Sequence, residues 1–117
     1  MVSLTDAQIL AAVNRMTSTN GDDAPTNIEY VTTTEGAAMQ LAYGASADPA
    51  EASDAVVLTV ALGHFTGTSA KVPASAPPPT GTVMTVVVDG ATGAIRDWGI
   101  TDKSPALTSL GTPTVLR

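Results

Sequence analysis

The sequence predicts an α+β fold, with an antiparallel sheet of about four strands packed against an N-terminal helix and a short second helix. Three observations carry that prediction. Thr82–Val88 is a run of Val, Thr and Met, followed by the turn Asp89-Gly90-Ala91-Thr92-Gly93 and a return arm holding the only tryptophan, Trp98. Such side chains suit a pleated, half-buried surface, while Asp and Gly supply the local bond and the positive φ of a tight reversal. Ala55–Phe65 alternates, with Val56, Leu58, Val60 and Leu62 on one side and Ala55, Thr59 and Ala61 on the other. That pattern predicts a sheet with one face on the core. Finally, Leu4-Thr5-Asp6-Ala7-Gln8-Ile9 is a helix start: Thr5 and Gln8 form a capping box, and Asp6 suits the positive end of the helix.

Along the chain, Ile9, Val13 and Met16 recur on one helical face, and the helix should fade near Thr17–Asn20 before Gly21. Thr17–Thr26 reads as a surface loop, and Asn27–Thr34 as a strand with Ile28, Tyr30 and Thr32 on one side. Glu35–Tyr43 has two readings. It is either the return arm of a hairpin or, as favoured by its helix formers, a helix capped by Thr34 and ended by Gly44. Ala45–Asp54 is a small, acidic loop, and Thr66–Gly81 is a long one containing Pro73, Pro77, Pro78 and Pro79. Proline excludes that stretch from the interior of a helix or sheet, and Pro77–Pro79 should run as polyproline II. Ser104-Pro105 reads as an N-cap with proline at the first helical position, and Thr114–Leu116 as a short edge strand. The helices are expected to cover one sheet face.

The length of 117 residues points to one domain spanning 1–117. With aromatics at only 3%, the core must come mainly from Val, Leu, Ile, Met and Ala. The absence of cysteine excludes disulfides and thiolate metal sites. No apolar run approaches the roughly 18 residues of a membrane span. Met1–Ala12 lacks the basic start of a signal peptide and is interrupted by Asp6, so an extracytoplasmic or secreted location requires a leader removed from this sequence. The net charge is −6, and no Lys or Arg occurs from Met16 through Ala70, where Asp22, Asp23, Glu29, Glu35, Asp48, Glu51 and Asp54 lie. A surface of that sign repels phosphate, so neither nucleic acid nor an anionic membrane is an expected partner. The acidic portion reads as a solvated face, with a cation site at Asp22-Asp23 or a basic protein partner as alternatives.

Chemistry-bearing residues are few. His64 is the only histidine, at a strand end where a bulge at Gly63 would turn it outward. A metal site there has only carboxylates to complete it, a catalytic triad would have to use this one imidazole, and no serine sits in a nucleophile elbow. The Asp89–Gly93 turn has neither the spacing and lysine of a phosphate loop nor the carboxylates of an EF-hand. No catalytic residue, metal or cofactor is therefore assigned. The candidate binding residues are His64, Phe65, Lys71, Pro77, Pro78, Pro79 and Trp98. Lys71 is the first base after the acidic portion, so the charge changes sign in the proline-rich loop.

Val86-Val87-Val88-Asp89, Thr92-Gly93 and Ile95 together resemble the terminal hairpin of PepSY-type domains, small bacterial extracytoplasmic modules. More broadly, Val57 to Gly111 is similar to uncharacterised actinobacterial small-domain proteins, through Gly63-His64-Phe65, Pro79-Thr80-Gly81-Thr82 and Asp97-Trp98-Gly99. The resemblance covers about half the chain and implies a cystatin-like or PepSY-like order of helix then sheet. It also implies a role in restraining peptidases, although no catalytic or inhibitory residue carries over. The Asp-x-x-Thr-Gly turn also occurs in β-propeller blades, which this chain is too short to form.

The expected function is a non-enzymatic protein- or peptide-interaction module of the bacterial cell envelope or secreted space. Its contact surfaces would be an open sheet and the proline-rich loop. One alternative is a virion or other assembly subunit, a homo-oligomer ordered between neighbours. Another is a small-molecule or enzymatic cystatin-like cavity with His64 or Asp97 as acid–base group.

Overall fold

A computed structural model describes residues 2–67 and 76–117. Helix α1, Asp6–Thr19, begins at the expected capping box: Thr5 Oγ1 accepts the Gln8 amide at 3.2 Å and Gln8 Oε1 accepts the Thr5 amide at 2.8 Å. Asn20 closes it, its side-chain amide donating to the Met16 carbonyl at 2.8 Å. Strand β1, Asn27–Thr34, leads directly into helix α2, Glu35–Tyr43. The helical reading of that segment holds because both ends are capped. Thr34 Oγ1 accepts the Ala37 amide, and Gly44 adopts the left-handed conformation at φ 62°.

Strands β2, Ala55–Thr66, β3, Thr80–Asp89, and β4, Ile95–Thr101, follow. A 3-10 turn at Leu107–Ser109 and strand β5, Thr114–Val115, complete the chain. The sheet is antiparallel in the order β4-β3-β2-β1-β5. It has five strands rather than about four, because Thr114–Val115 pairs with Tyr30 and Glu29 at the far edge. β2 and β3 also reach further than the sequence suggests, since Phe65↔Gly81 and Thr66↔Thr80 still pair. The segment between these strands is thus 67–79, of which 68–75 lie outside the described residues.

The expectation of one covered face is corrected. Helix α1 packs on one face through Ile9, Ala12 and Val13 against Ile28, Val57, Ala61, Met84, Val86 and Val88. Helix α2 and Leu107 pack on the other through Ala38 against Val31, Val56, Leu58, Val60, Val83 and Val87. The cause lies in the central strands. Val56-Val57-Leu58 and Val86-Val87-Val88 are apolar at consecutive positions, so both faces need cover. Thr59 is buried between them, and its hydroxyl donates to the Val86 carbonyl at 3.0 Å. No helix among the described residues is long and apolar enough to cross a membrane.

The Ser104-Pro105 helix start is also corrected. The 3-10 turn is flanked by Ala106 and has no side-chain cap. Proline fits an extended approach equally well, and the single turn is held by burial of Leu107.

Candidate functional site

The predicted binding residues divide by position. Phe65 is a core residue, 3% exposed, on the α1 face. His64 beside it is exposed, as expected from a bulge: the β2–β3 register shifts between Leu62 and Phe65. The His64 backbone amide donates to Asp22 Oδ2 at 2.9 Å, and the Ala24 amide donates to Asp22 Oδ1 at 2.9 Å. The His64 amide, followed by that of Ala24, holds the Asp22 carboxyl below its ordinary range. Asp22, a candidate cation ligand by sequence, is thus engaged in joining the loop after α1 to the end of β2. No group of three metal-ligating side chains occurs among the described residues.

Trp98 lies on β4, half-buried against the α1-face core with Ile95 and Ile100. Among the described residues β4 is an edge strand, paired only with β3. The Trp98 amide donates to Asp97 Oδ1 at 2.9 Å, so it points off the outer edge instead of joining the ladder. A register shift between Val87 and Val88 adds Arg96 as the extra residue of a bulge in the same strand.

Pro79 approaches this strand. A Cβ at Gly67 would come 2.6 Å from Pro79 Cγ and 3.3 Å from Ile100 Cδ1, so Gly67 lies between the two side chains. The Gly67 amide donates to the Pro79 carbonyl at 2.7 Å, while Pro77 and Pro78 are exposed. Pro79 therefore lies near Ile100, which shares the α1-side face of β4 with Trp98. Lys71 lies outside the described residues.

Sequence reasoning missed Arg96. Its guanidinium contacts Asp89 Oδ2 through Nη2 at 2.6 Å and Nε at 3.0 Å, Asp54 Oδ2 at 3.0 Å and Glu35 Oε2 at 3.2 Å. Arg96 pulls the Asp89 carboxyl far below the usual range, aided by the Thr92 and Ala91 amides. The same contacts, Asp89 foremost, raise the Arg96 guanidinium further. This cluster ties the β3–β4 turn to the starts of α2 and β2. The available signal was that Arg96 is the only base between Val72 and Asp102, within reach of the Asp89 turn.

Tyr43, at the end of α2, lies over β4. A Cβ at Gly99 would come 2.9 Å from Tyr43 Cε1, so the ring occupies the space the glycine leaves. Thr85 Oγ1 donates to the Tyr43 hydroxyl at 3.1 Å, and burial raises the phenol above its usual range. With Arg96 and Tyr43 internally engaged, the distinctive open feature among the described residues is the β4 edge with its apolar flank. No known protein family, curated protein or solved structure matches the chain.

Proposed function

We propose that the chain is a non-enzymatic protein- or peptide-interaction module of the bacterial cell envelope or secreted space, which accepts an extended segment along β4. The observation that carries this reading is the outward Trp98 amide, held by the Asp97 carboxylate in place of a strand partner, on a strand that among the described residues pairs only with β3. An incoming strand gains main-chain hydrogen bonds from such an edge and specificity from alternate side chains. Trp98 and Ile100 project to one face and offer an apolar surface to those side chains. The exposed Pro77 and Pro78 extend the surface beyond Pro79. The PepSY-like hairpin supports the envelope setting and a peptide-like partner. An assembly subunit is the alternative if a second copy occupies the same edge.

The test is selection of binders from a random extended-peptide display library against the intact chain. The site is then mapped by amide hydrogen exchange. Slowed exchange at Trp98 and Ile100, with binding lost in Ile100→Pro while the melting curve stays cooperative, is the expected result. Failure to select any peptide, or protection concentrated away from β4, overturns the reading.

A further inference from the structure

A cleft on the α2 face lies away from the Trp98 flank. It has a volume of about 270 Å³, with Glu29, Val60 and Leu62 as its floor and Pro105, Leu107 and Pro113 among its walls. Register settles why Glu29 is there. It pairs with Val60, whose side chain belongs to the α2-face core, and with Val115 on β5. Glu29 is half-buried, yet its carboxylate has no hydrogen-bond or ion-pair partner among the described residues. A carboxylate beside apolar walls gains a charge-assisted hydrogen bond from a cation whose stem packs on those walls.

Among the described residues, no base of the protein pairs with Glu29. Arg96 is committed to Glu35, Asp54 and Asp89. Arg117, whose carbonyl accepts the Ile28 amide, reaches this edge of the sheet but forms no ion pair with Glu29. Lys103 belongs to an adjoining cleft of about 390 Å³, which shares Ser104, Pro105 and Ala106 with the first and adds Leu41 and Ala42.

We infer that the Glu29 cleft takes the lysine or arginine side chain of a basic peptide, with the adjoining cleft receiving an apolar neighbour. The aliphatic stem packs on Val60, Leu62 and Pro105 while the cationic head meets Glu29. The net charge of −6 draws such a peptide toward the protein. The Glu29 cleft has no β4 residue in its lining, although the adjoining cleft borders Thr101 at the end of β4, and the charge contact at Glu29 is tested independently of the Trp98 edge.

The experiment is an amide-detected NMR titration of the full chain with acetyl-Leu-Lys-Leu-amide and its norleucine counterpart, which keeps the stem and removes the charge. The lysine peptide should shift resonances of Asn27, Leu62, Ala106 and Leu107. Glu29→Gln should weaken it by about tenfold or more, matching the norleucine peptide on wild-type protein. Ala106→Arg, at an exposed position on the cleft wall, supplies an internal cation and should block the peptide in a chain whose spectrum shows the native fold. Absence of localised shifts, unchanged binding by Glu29→Gln or Ala106→Arg, or equal binding of the norleucine peptide overturns the assignment.

Discussion

Arg96 grips Asp89 with two nitrogens on one oxygen, Nη2 at 2.6 Å and Nε at 3.0 Å, while Asp89's other oxygen accepts the Ala91 and Thr92 amides. One carboxylate thus holds the β3–β4 turn closed and orients the arginine toward Glu35 and Asp54. Glu35 is the most buried of the acids, its side chain 8% exposed, and depends on Arg96 for its charge balance. Arg96→Leu should destabilise the fold by about 2–4 kcal/mol, because it leaves half-buried carboxylates facing one another. Asp54 is 43% exposed, so Asp54→Asn should cost less than about 1 kcal/mol. Urea unfolding of both variants measures the ratio, and equal losses would mean that the exposed Asp54 contact carries the arginine's contribution and that Glu35 and Asp89 do not depend on it.

Acid should act on the same contact. The folded Asp89 carboxyl titrates far below its usual range, and an unfolded aspartate titrates near ~3.9. Below that value the unfolded chain binds a proton that the folded one refuses. The contribution is therefore fully present above it and is lost as pH falls toward the folded value. Asp89→Asn should be less stable than wild type at pH 7 and show a shallower decline below about pH 4. Parallel stability–pH curves for the two proteins would place the acid sensitivity elsewhere.

Gly93 closes the turn at φ 77°, and its amide donates to the Asp89 carbonyl at 3.0 Å. A β-branched residue resists that region, so Gly93→Val should destabilise by about 1–2 kcal/mol. A melting temperature unchanged within error would show that the turn relaxes to ordinary β space at no cost.

The legible parts of this fold were those set by local chemistry. Thr5 with Gln8, Thr34 with Gly44, and Asp89 with Gly93 each act within a few residues, and each does in the structure what its sequence context predicts. What escaped depends on residues distant in the chain. The second covered face follows from where α1 and α2 dock, although Val56-Val57-Leu58 and Val86-Val87-Val88 already carried its signature. Arg96 meets Glu35 across 61 positions, a pairing no spacing rule reveals. Among the candidate binding residues, Phe65 lies in the core, because the bulge that exposes His64 leaves the ring facing α1.

His64 and Asp22 separate backbone from side-chain roles. Asp22 accepts the His64 amide, and a Cβ at Gly63 would fall 2.3 Å from Asp22 Oδ2, so the carboxylate fills the glycine's space. The imidazole itself is exposed. His64→Ala should therefore change stability by no more than about 0.5 kcal/mol, whereas Asp22→Ala should cost about 1–2 kcal/mol through two lost amide acceptors. Thermal unfolding of the pair checks this, and a larger loss in His64→Ala would reveal a role for the ring.

Asp97 guards the β4 edge. Its carboxylate satisfies the Trp98 amide and puts a negative charge where another strand would approach. A charge and a bulge at Arg96 are both devices that disfavour indiscriminate pairing of an edge strand. Asp97→Thr removes the charge and frees the amide while retaining a good strand former. Stability should change by less than about 1 kcal/mol, because the freed amide can bond water at the edge. Association should change more. Sedimentation velocity over a concentration series should show Asp97→Thr shifting toward dimers at concentrations where the wild type sediments as a smaller species, and peptides selected on β4 should bind the variant more tightly. If the variant sediments as wild type does and gains nothing for such peptides, the edge is closed by something other than Asp97.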